Sequence, residues 1–445
     1  MDFLIGGQGN DKYVINDTTD QVTENANEGT DTVVAGGALS SYTLGLNLEN
    51  LTGSEFGQTL AGNTLDNVIT GSAGDDFLFG DAGNDTLIGG GGADTVIVTY
   101  NFGSGYTIQA GGEAANFVMV GAEGTDVLQN IGFVQFADGT TVSTASLVPP
   151  TVPYDFNGDD KSDILWYNPG NGQVTIWQMD GAQISSSQGV GVVGGPWQIA
   201  GTGDFNNDGS SDILWHNASD GQVTIWQMDG SQIVSSLPIG VVGGPWQIAG
   251  TGDFNDDGNS DILWHNSSDG QVTIWQMNGS QIVSSQGIGV VGGPWQIAGT
   301  GDFNNDGNSD ILWHNSSDGQ VTLWEMNGSQ IVSSQGVGVV GGPWQIAGTG
   351  DFNNDGNSDI LWHNSSDGQV TLWEMNGSQI VSSQGVGVVG APWQIAGTGD
   401  YNGDGNSDIL WRNSSDGQVA LWEMNGAQIV QSQGVGVVGG GWIIA

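Results

Sequence analysis

The sequence predicts an all-β protein in which a parallel β-roll is followed by a six-bladed β-propeller that the C-terminal strand closes. Three observations lead to this fold class. Glycine-rich nonapeptides with aspartate in register recur in the first part, a longer repeat fills the second part, and no segment shows the apolar period of a helix. A proline-rich stretch separates the two parts.

Composition excludes several classes of function. The 445 residues include 49 Asp and Glu but 3 Lys and Arg, a net charge of −46 that repels nucleic acid and anionic membrane surfaces. We therefore predict no nucleic-acid partner and no membrane insertion. Cysteine is absent, which excludes disulfides and Cys-type metal sites. Since 37% of the residues are hydrophobic, the chain folds, and its many carboxylates need cations from solution. We predict Ca²⁺ as the cofactor.

Proline marks the domain boundary. All 10 prolines lie at or after Pro149, and the stretch around Pro149, Pro150 and Pro153 is typical of a stiff extended linker. We predict a β-roll domain over residues 1–148, a linker over 149–154 and a propeller domain over 155–445.

The second domain is a sixfold repeat with a constant step, since Asp155 and Asp204 are 204 − 155 = 49 residues apart and the step recurs. Asp220-Gly221 and Asp229-Gly230 are hairpin-turn signals, so neighbouring strands should be antiparallel. A four-stranded unit of this length is typical of a propeller blade, and an open solenoid is the weaker alternative. In the second copy we predict strands over 197–201, 211–217, 222–228 and 232–236.

The two ends of the repeat predict how the ring closes. The copy that begins at Asp155 lacks the Trp-Gln-Ile-Ala strand that precedes every other copy, and the chain ends on the equivalent segment, residues 442–445. If this segment pairs into the first blade, the ring has six blades and no exposed edge at the seam.

Each copy opens with a nine-residue acidic segment, which we call the Asp loop. Oxygen-bearing side chains stand at its positions 1, 3, 5 and 9, and a hard cation takes six to eight such oxygens at about 2.3 to 2.6 Å. An Asx-rich turn without metal is the alternative, whereas an EF-hand is excluded because its twelfth position is Trp215 instead of Glu. The predicted metal ligands are Asp155, Asn157, Asp159, Asp163, Asp204, Asn206, Asp208, Asp212, Asp253, Asn255, Asp257, Asp261, Asp302, Asn304, Asp306, Asp310, Asp351, Asn353, Asp355, Asp359, Asp400, Asn402, Asp404 and Asp408.

The segment Asp-Phe-Asn-Asn-Asp-Gly-Asn-Ser-Asp-Ile-Leu-Trp resembles the FG-GAP or VCBS-type repeat, and the resemblance covers residues 155–445. It implies an integrin-like propeller with calcium in the loop between adjacent strands. The first copy departs from the pattern, because Asp160 stands where the other copies have glycine.

Three consecutive nonapeptides place Asp76, Asp85 and Asp94 in register, and a further copy ends at Asp11. Glycines permit a tight turn whose carbonyls face a cation that the aspartate completes. The pattern resembles the RTX (haemolysin-type calcium-binding) family, which implies these four aspartates as ligands and an extracellular or cell-surface location in a bacterium. RTX proteins usually carry a C-terminal export signal, whereas this chain ends on a propeller strand. It also starts in the middle of a repeat, which indicates that upstream windings were lost or left out.

An enzyme needs an asymmetric group of side chains, which six near-identical blades do not offer, so we predict that the protein is not an enzyme. His216 and its equivalents occur in four copies, and Tyr167 and Arg412 replace them in the first and last. They are strand residues on a polar face or, alternatively, hydrogen-bonding groups for a sugar. A polysaccharide-active enzyme would need a unique cluster, for which Lys161, Tyr167 and Arg412 at the seam are the candidates.

Tryptophan supplies the ligand hypothesis. Two Trp in each copy, such as Trp215 and Trp226, belong to predicted strands and to the blade core. The third stands at a strand start, and such an indole face suits a sugar ring. We expect a secreted, multivalent binding or adhesion module, in one version lectin-like, with a glycan or protein surface as its ligand. The alternative is a calcium-stabilised structural or self-assembling surface protein, and the oligomeric state is left open. The candidate ligand-binding residues are Trp197, Trp246, Trp295, Trp344, Trp393 and Trp442.

Overall fold

The computed structural model describes residues 2–37, 39–101, 104–110, 117–122, 124–143 and 152–445. Contacts between Cα atoms divide the chain into two compact units, Met1–Pro150 and Thr151–Ala445. The described residues form 40 strands and no helix. Accordingly, the described part of the chain holds no helix with the length and apolar character needed to cross a membrane. The predicted domain end at residue 148 and the predicted linker residues 149–151 lie outside the described residues.

The first unit is a parallel β-roll, as predicted. Its strands are β1 (Phe3–Ile5), β2 (Lys12–Ile15), β3 (Gln21–Thr23), β4 (Thr32–Ala35), β5 (Ser41–Thr43), β6 (Asn50–Gly53), β7 (Thr59–Ala61), β8 (Val68–Thr70), β9 (Phe77–Phe79), β10 (Thr86–Ile88), β11 (Thr95–Ile97), β12 (Tyr106–Ala110), β13 (Phe117–Gly121), β14 (Thr125–Gln129), β15 (Phe133–Gln135) and β16 (Thr141–Ser143).

Short strands alternate between the two faces of the roll. Most of the strands from β1 to β11 pair in parallel with the strand one full winding later, for example β8 with β10 through Ile69 and Leu87, whereas β12-β13-β14 and β15-β16 pair antiparallel. Because the strands from β1 to β11 have three or four residues, one or two side chains of each point inward. The inward residues step by nine along the chain and are almost completely buried: Leu51, Leu60, Ile69, Leu78, Leu87 and Val96. This column is the core of the unit.

The second unit is a six-bladed propeller. Its strands are β17 (Ile164–Asn168), β18 (Gln173–Asp180), β19 (Gln183–Val192), β20 (Trp197–Gly203), β21 (Asp212–Asn217), β22 (Gln222–Asp229), β23 (Gln232–Val241), β24 (Trp246–Gly252), β25 (Asp261–Asn266), β26 (Gln271–Asn278), β27 (Gln281–Val290), β28 (Trp295–Gly301), β29 (Asp310–Asn315), β30 (Gln320–Asn327), β31 (Gln330–Val339), β32 (Trp344–Gly350), β33 (Asp359–Asn364), β34 (Gln369–Asn376), β35 (Gln379–Val388), β36 (Trp393–Gly399), β37 (Asp408–Asn413), β38 (Gln418–Asn425), β39 (Gln428–Val437) and β40 (Ile443–Ile444).

Each blade is an antiparallel four-stranded sheet, such as β20-β21-β22-β23. The predicted hairpin turns are confirmed, with Gly221 at φ 77° and Gly230 at φ 60°. The outer strand is longer than predicted and continues to Val241 across a β-bulge. The sequence hid this extension because glycine is usually depleted in strands. Here Gly240 is needed, since a Cβ at this position would lie 3.1 Å from the Trp275 ring of the next blade.

Neighbouring blades share one apolar cluster at each interface. Between the first two blades, Phe156 and Leu165 pack against Ile213 and Trp215. The ring centroids of Trp215 and Trp226 are 5.0 Å apart within the blade. Tightly packed aromatic pairs of this kind stabilise a sheet stack beyond the area that they bury.

The C-terminal segment closes the ring, as predicted. In β40, Ile443 pairs with Tyr167 and Ile444 with Trp166 of β17. Residues 152–154 then lead into the first Asp loop, and the carbonyl of Pro153 accepts the Ser162 hydroxyl at 2.7 Å. The first blade is thus made from both ends of the propeller.

Deletion of residues 442–445 should lower the melting temperature by about 5 to 10 °C. The deletion removes the β40 pairing and a packed tryptophan, a loss of about 3 kcal/mol. Calorimetry in calcium buffer measures this, with Trp442→Phe as a control that keeps the strand pairing. An unchanged melting temperature in the truncated protein would contradict closure by this strand.

Candidate metal centres

The Asp loops fold around the carboxylate of their first residue. In the second blade, Asp204 accepts backbone N–H groups from Asp208 at 3.2 Å and Gly209 at 2.8 Å. The Asn206 amide nitrogen donates to Asp208 Oδ2 at 2.8 Å. These bonds bring positions 1, 3 and 5 of the loop together, as the spacing predicted.

The amide oxygen at position 3 tests whether the loops fit a cation. In the first three loops this atom, Oδ1 of Asn157, Asn206 and Asn255, is buried and has no hydrogen-bond partner among the described residues. A buried polar atom without a partner is costly, and an oxygen-seeking ion would satisfy it. In the fifth and sixth loops the equivalent oxygen of Asn353 or Asn402 instead accepts the N–H of position 5, at 3.1 and 2.9 Å. The first three loops therefore fit calcium best.

The aspartate at position 9 has a structural role that the sequence did not reveal. Asp212 accepts the N–H of Met228 at 2.9 Å and the N–H of Phe205 at 3.1 Å. Its carboxylate thus ties the Asp loop to the third strand of the blade and keeps only its remaining lone pairs for a metal. The same two bonds recur at Asp163, Asp261, Asp310, Asp359 and Asp408.

Burial makes these loops electrostatically unfavourable without a cation. Burial, reinforced by the charges of Asp204 and Asp208, raises the pKa of Asp212 to about 8. Burial likewise raises the pKa of Asp204 to about 6. Adjacent buried carboxylates resist simultaneous ionisation at neutral pH unless positive charge is added. A divalent ion supplies that charge.

A ring of main-chain bonds joins the six loops. The carbonyl of Asp155 accepts the Ser211 N–H of the next blade at 2.5 Å, and the same bond recurs from blade to blade. At the seam, the carbonyl of Asp400 accepts the Ser162 N–H at 2.6 Å. Each loop therefore shares a structural bond with its neighbours around the whole ring.

In the β-roll, aspartates of successive windings form ladders. The N–H of Asp76 donates to Asp94 Oδ1 at 2.8 Å, and the N–H of Asp85 donates to Asp126 Oδ1 at 3.0 Å. In the same way, the N–H of Asp11 donates to Asp31 at 2.8 Å. Asp31 and Asp126 are not among the predicted ligands, although each stands two residues before an inward apolar residue, as Asp85 does.

The second carboxylate oxygen of several of these aspartates lies beside a glycine, at a position that the side chain of any larger residue would occupy. Within the described residues, Oδ2 of Asp11, Asp85 and Asp94 is buried without a hydrogen-bond partner. A Cβ on Gly80 would lie 2.3 Å from Asp85 Oδ2. One on Gly89 would lie 2.4 Å from Asp94 Oδ2 and 2.1 Å from a main-chain carbonyl. A space lined by unpartnered carboxylate and carbonyl oxygens suits calcium. Asp76 differs, because its Oδ2 accepts the Ser72 hydroxyl at 2.8 Å.

The six candidate ligand-binding tryptophans, which we call the rim tryptophans, are half-buried at the start of the innermost strands. Each packs on one side against an apolar cluster between blades. Trp442 also lines a cleft of about 300 Å³ together with Gln173, Thr175 and Val192. The third blade has a cleft of about 450 Å³ at equivalent residues of β26 and β27.

The histidines lie at blade interfaces. The His216 ring stands edge-on to Trp264 of the next blade at 5.9 Å, and its Nε2 is 3.3 Å from the Val242 carbonyl. His265 repeats this arrangement with Trp313. These contacts favour the interpretation as strand residues.

The three residues suspected of forming a seam cluster have separate contacts. The Arg412 guanidinium lies over the Trp166 ring at 5.2 Å, and Lys161 pairs with Asp180 at 3.0 Å. The Tyr167 hydroxyl donates to the Trp197 carbonyl at 3.2 Å, away from the seam.

Comparison with protein families agrees with both metal-loop patterns. The RTX calcium-binding nonapeptide repeat matches residues 61–96 in four copies. The FG-GAP-like repeat matches overlapping pairs of blades over 155–215, 204–264, 253–313, 302–362 and 351–411. These repeats fit a calcium-binding module with a binding or structural role.

No curated protein matches the sequence. Among solved structures, similar chains include a lectin of Agrocybe aegerita that recognises non-reducing terminal N-acetylglucosamine (14% identity, 76% of this chain and 91% of that chain, TM-score 0.46). A chain of a nidogen/laminin complex (11%, 61% and 92%, 0.42) and virginiamycin B lyase of Staphylococcus aureus (8%, 66% and 87%, 0.40) are also similar. Likenesses this distant carry no argument about ligand or chemistry.

Asp212→Ala should destabilise the propeller by about 2 to 5 kcal/mol even in EDTA, because two buried N–H groups lose their acceptor. Urea unfolding followed by Trp fluorescence measures the loss. Asp220→Ala, an exposed turn aspartate of the same blade, is the control. If Asp212→Ala were as stable as the native protein in EDTA, the carboxylate would act through metal alone.

Stability should depend on pH in opposite ways with and without calcium. In EDTA, the raised pKa values of the loop aspartates favour the folded state below pH 4 and lose that contribution as pH rises through about 8. The melting temperature should therefore be higher at pH 5 than at pH 8. With millimolar calcium the order should reverse, because protons then compete with the ion. Melting curves of the same order in both buffers would contradict metal-linked ionisation.

Proposed function

Because this chain belongs to the FG-GAP-like repeat family, we propose that it is a secreted or surface protein whose calcium-stabilised propeller acts as a multivalent binding module. The observation that supports this proposal is the sixfold repetition of a half-buried indole at the start of an innermost strand. Six weak sites on one ring give avidity without strong individual contacts.

We propose glycans as the ligand class. At the first blade, the cleft beside Trp442 combines an apolar indole with the polar side chains of Gln173 and Thr175. A sugar ring offers an apolar face and hydroxyl groups, and this lining suits both. Since the inner face of each rim tryptophan packs against a blade interface, the exposed face is held in place before a ligand binds.

Calcium acts on this module at a distance. The rim tryptophan Trp197 begins β20, and the Asp loop starts at Asp204, directly after the strand ends at Gly203. A seven-residue strand separates the two by about 20 Å. A glycan on the indole therefore does not coordinate the loop ion, and calcium supports binding by keeping the blades folded.

Replacing four rim tryptophans, Trp197, Trp246, Trp295 and Trp344, by phenylalanine should weaken binding to an immobilised glycan at least tenfold, because avidity falls with valency. A glycan array on the calcium-loaded protein first identifies the glycan, and biolayer interferometry then compares the variants. The matched control makes the same change at Trp226, Trp275, Trp324 and Trp373, which pack within the blades against the core tryptophans Trp215, Trp264, Trp313 and Trp362.

Two outcomes would contradict this proposal. An array without any hit for the calcium-loaded protein would count against the glycan, and equal affinities of the two fourfold variants would place the site away from the rim tryptophans.

A structural role is the second candidate. The outer strand of every blade has a free edge, and the valines at its end, such as Val192 and Val290, are 69% exposed. Unprotected edges with apolar residues favour edge-to-edge assembly. Electron microscopy of the calcium-loaded protein distinguishes the two, because filaments or sheets support assembly and isolated particles support the binding module.

A further inference from the structure

The first winding of the β-roll brings three carboxylates together. Asp11, Glu24 and Asp31 each place one oxygen within 4.8 Å of the others, and no other group of three acidic or histidine side chains in the described residues is as close. Two of them, Glu24 and Asp31, do not belong to a glycine-rich nonapeptide. All three lie outside the segment that matches the RTX family.

Two of these carboxylates, Glu24 and Asp31, are buried, and Asp11 is half-buried. Asp31 is 0% exposed and Glu24 is 7% exposed. Oδ2 of Asp11 and Oδ2 of Asp31 have no hydrogen-bond partner within the part of the chain that is described. The ion pair that the described residues form joins Lys161 to Asp180, in the other unit. Buried charges of one sign require a counter-ion.

Hydrogen bonds hold each carboxylate in place. The Tyr13 hydroxyl donates to Glu24 Oε2, and the Asp11 N–H donates to Asp31 Oδ1 at 2.8 Å. The Asp31 N–H in turn donates to Glu49 at 2.8 Å. Such outer contacts orient metal ligands and strengthen binding. A cation that enters this group would find the oxygens already directed.

Glycine leaves space beside the group. A Cβ on Gly6 would lie 2.3 Å from both Asp11 Oδ2 and the Tyr13 hydroxyl oxygen. The backbone at Gly6 therefore approaches the Asp11 carboxylate so closely that a larger residue would not fit there.

We propose that Asp11, Glu24 and Asp31 bind a calcium ion that fastens the first winding of the β-roll. Two oxygens that share one ion at about 2.3 to 2.6 Å lie at most about twice that distance apart, and the three oxygens meet this limit. An all-oxygen, carboxylate-rich group of this size suits calcium over softer metals. The site does not depend on the proposed glycan binding or on the Asp loops.

Glu24→Gln in the full chain tests this site. The glutamine keeps an acceptor for Tyr13 but removes one charge, so native mass spectrometry should count one calcium fewer per chain. Hydrogen exchange of peptides covering β2 to β4 should need at least tenfold more calcium for half-maximal protection, as loss of a ligand should cost at least what loss of an outer partner does. Magnesium should not replace calcium in either measurement.

Asp17→Asn is the control, because it removes the same charge from an exposed turn in this winding. It should change neither the ion count nor the exchange. Without calcium, Glu24→Gln should be at least as protected as the native protein, since repulsion falls, and this distinguishes loss of the site from misfolding. An unchanged ion count and an unchanged calcium midpoint in both Glu24→Gln and Asp31→Asn would overturn the proposal.

Discussion

Burial of unpaired carboxylates is the constraint on which both units depend. The chain has 49 acidic and 3 basic side chains, yet it buries an aspartate in every blade and further aspartates in the roll, among them Asp31, Asp76, Asp85 and Asp94. Backbone N–H groups provide the first part of the compensation, as at Asp212, whose two oxygens both accept main-chain donors. Those bonds leave the charge itself in place, and the raised pKa of Asp212 reflects this. A bound cation would supply the remainder at neutral pH, which would link folding to metal binding.

The departures of the first and last copies from the repeat follow largely from ring closure. Tyr154 stands where other copies have glycine, and Tyr401 replaces the phenylalanine of the other loops. Tyr401 is buried in the apolar cluster at the seam, and Tyr154 is half-buried against the cluster between the first two blades. Arg412 replaces histidine and covers Trp166, the core tryptophan of the first blade. At Gly403, a Cβ would lie 3.2 Å from the Lys161 side chain, so glycine makes room for that lysine. These changes fit the packing of a seam made from two chain ends, and a functional centre is not needed to explain them.

The sequence allowed the architecture to be predicted because its periods are geometric. The 49-residue step set the blade number, the Asp-Gly pairs set the hairpins, and the missing strand before Asp155 identified its C-terminal replacement. Contacts that depend on winding could not be predicted. Glu24 meets Asp11 and Asp31 only because the first winding folds back on itself, and no nonapeptide contains it. The dual role of Asp212 was hidden as well, since ligand spacing alone does not show which main-chain donors a carboxylate will meet.

Under the proposed function, the position of the Asp loops would let calcium influence a surface that it does not touch. Each loop shares a main-chain bond with the loop of the next blade, as between Asp155 and Ser211, so distortion of one loop strains its neighbour. Five of the six loops also directly follow an innermost strand that begins with a rim tryptophan, such as Trp197 on β20. Because protein interiors are close-packed, a shift at one end of a strand in a packed sheet is passed on to its other end. Under the proposed function, cations at one end of the innermost strands would hold the spacing of the indoles at the other end, which is the spacing that multivalent recognition would require.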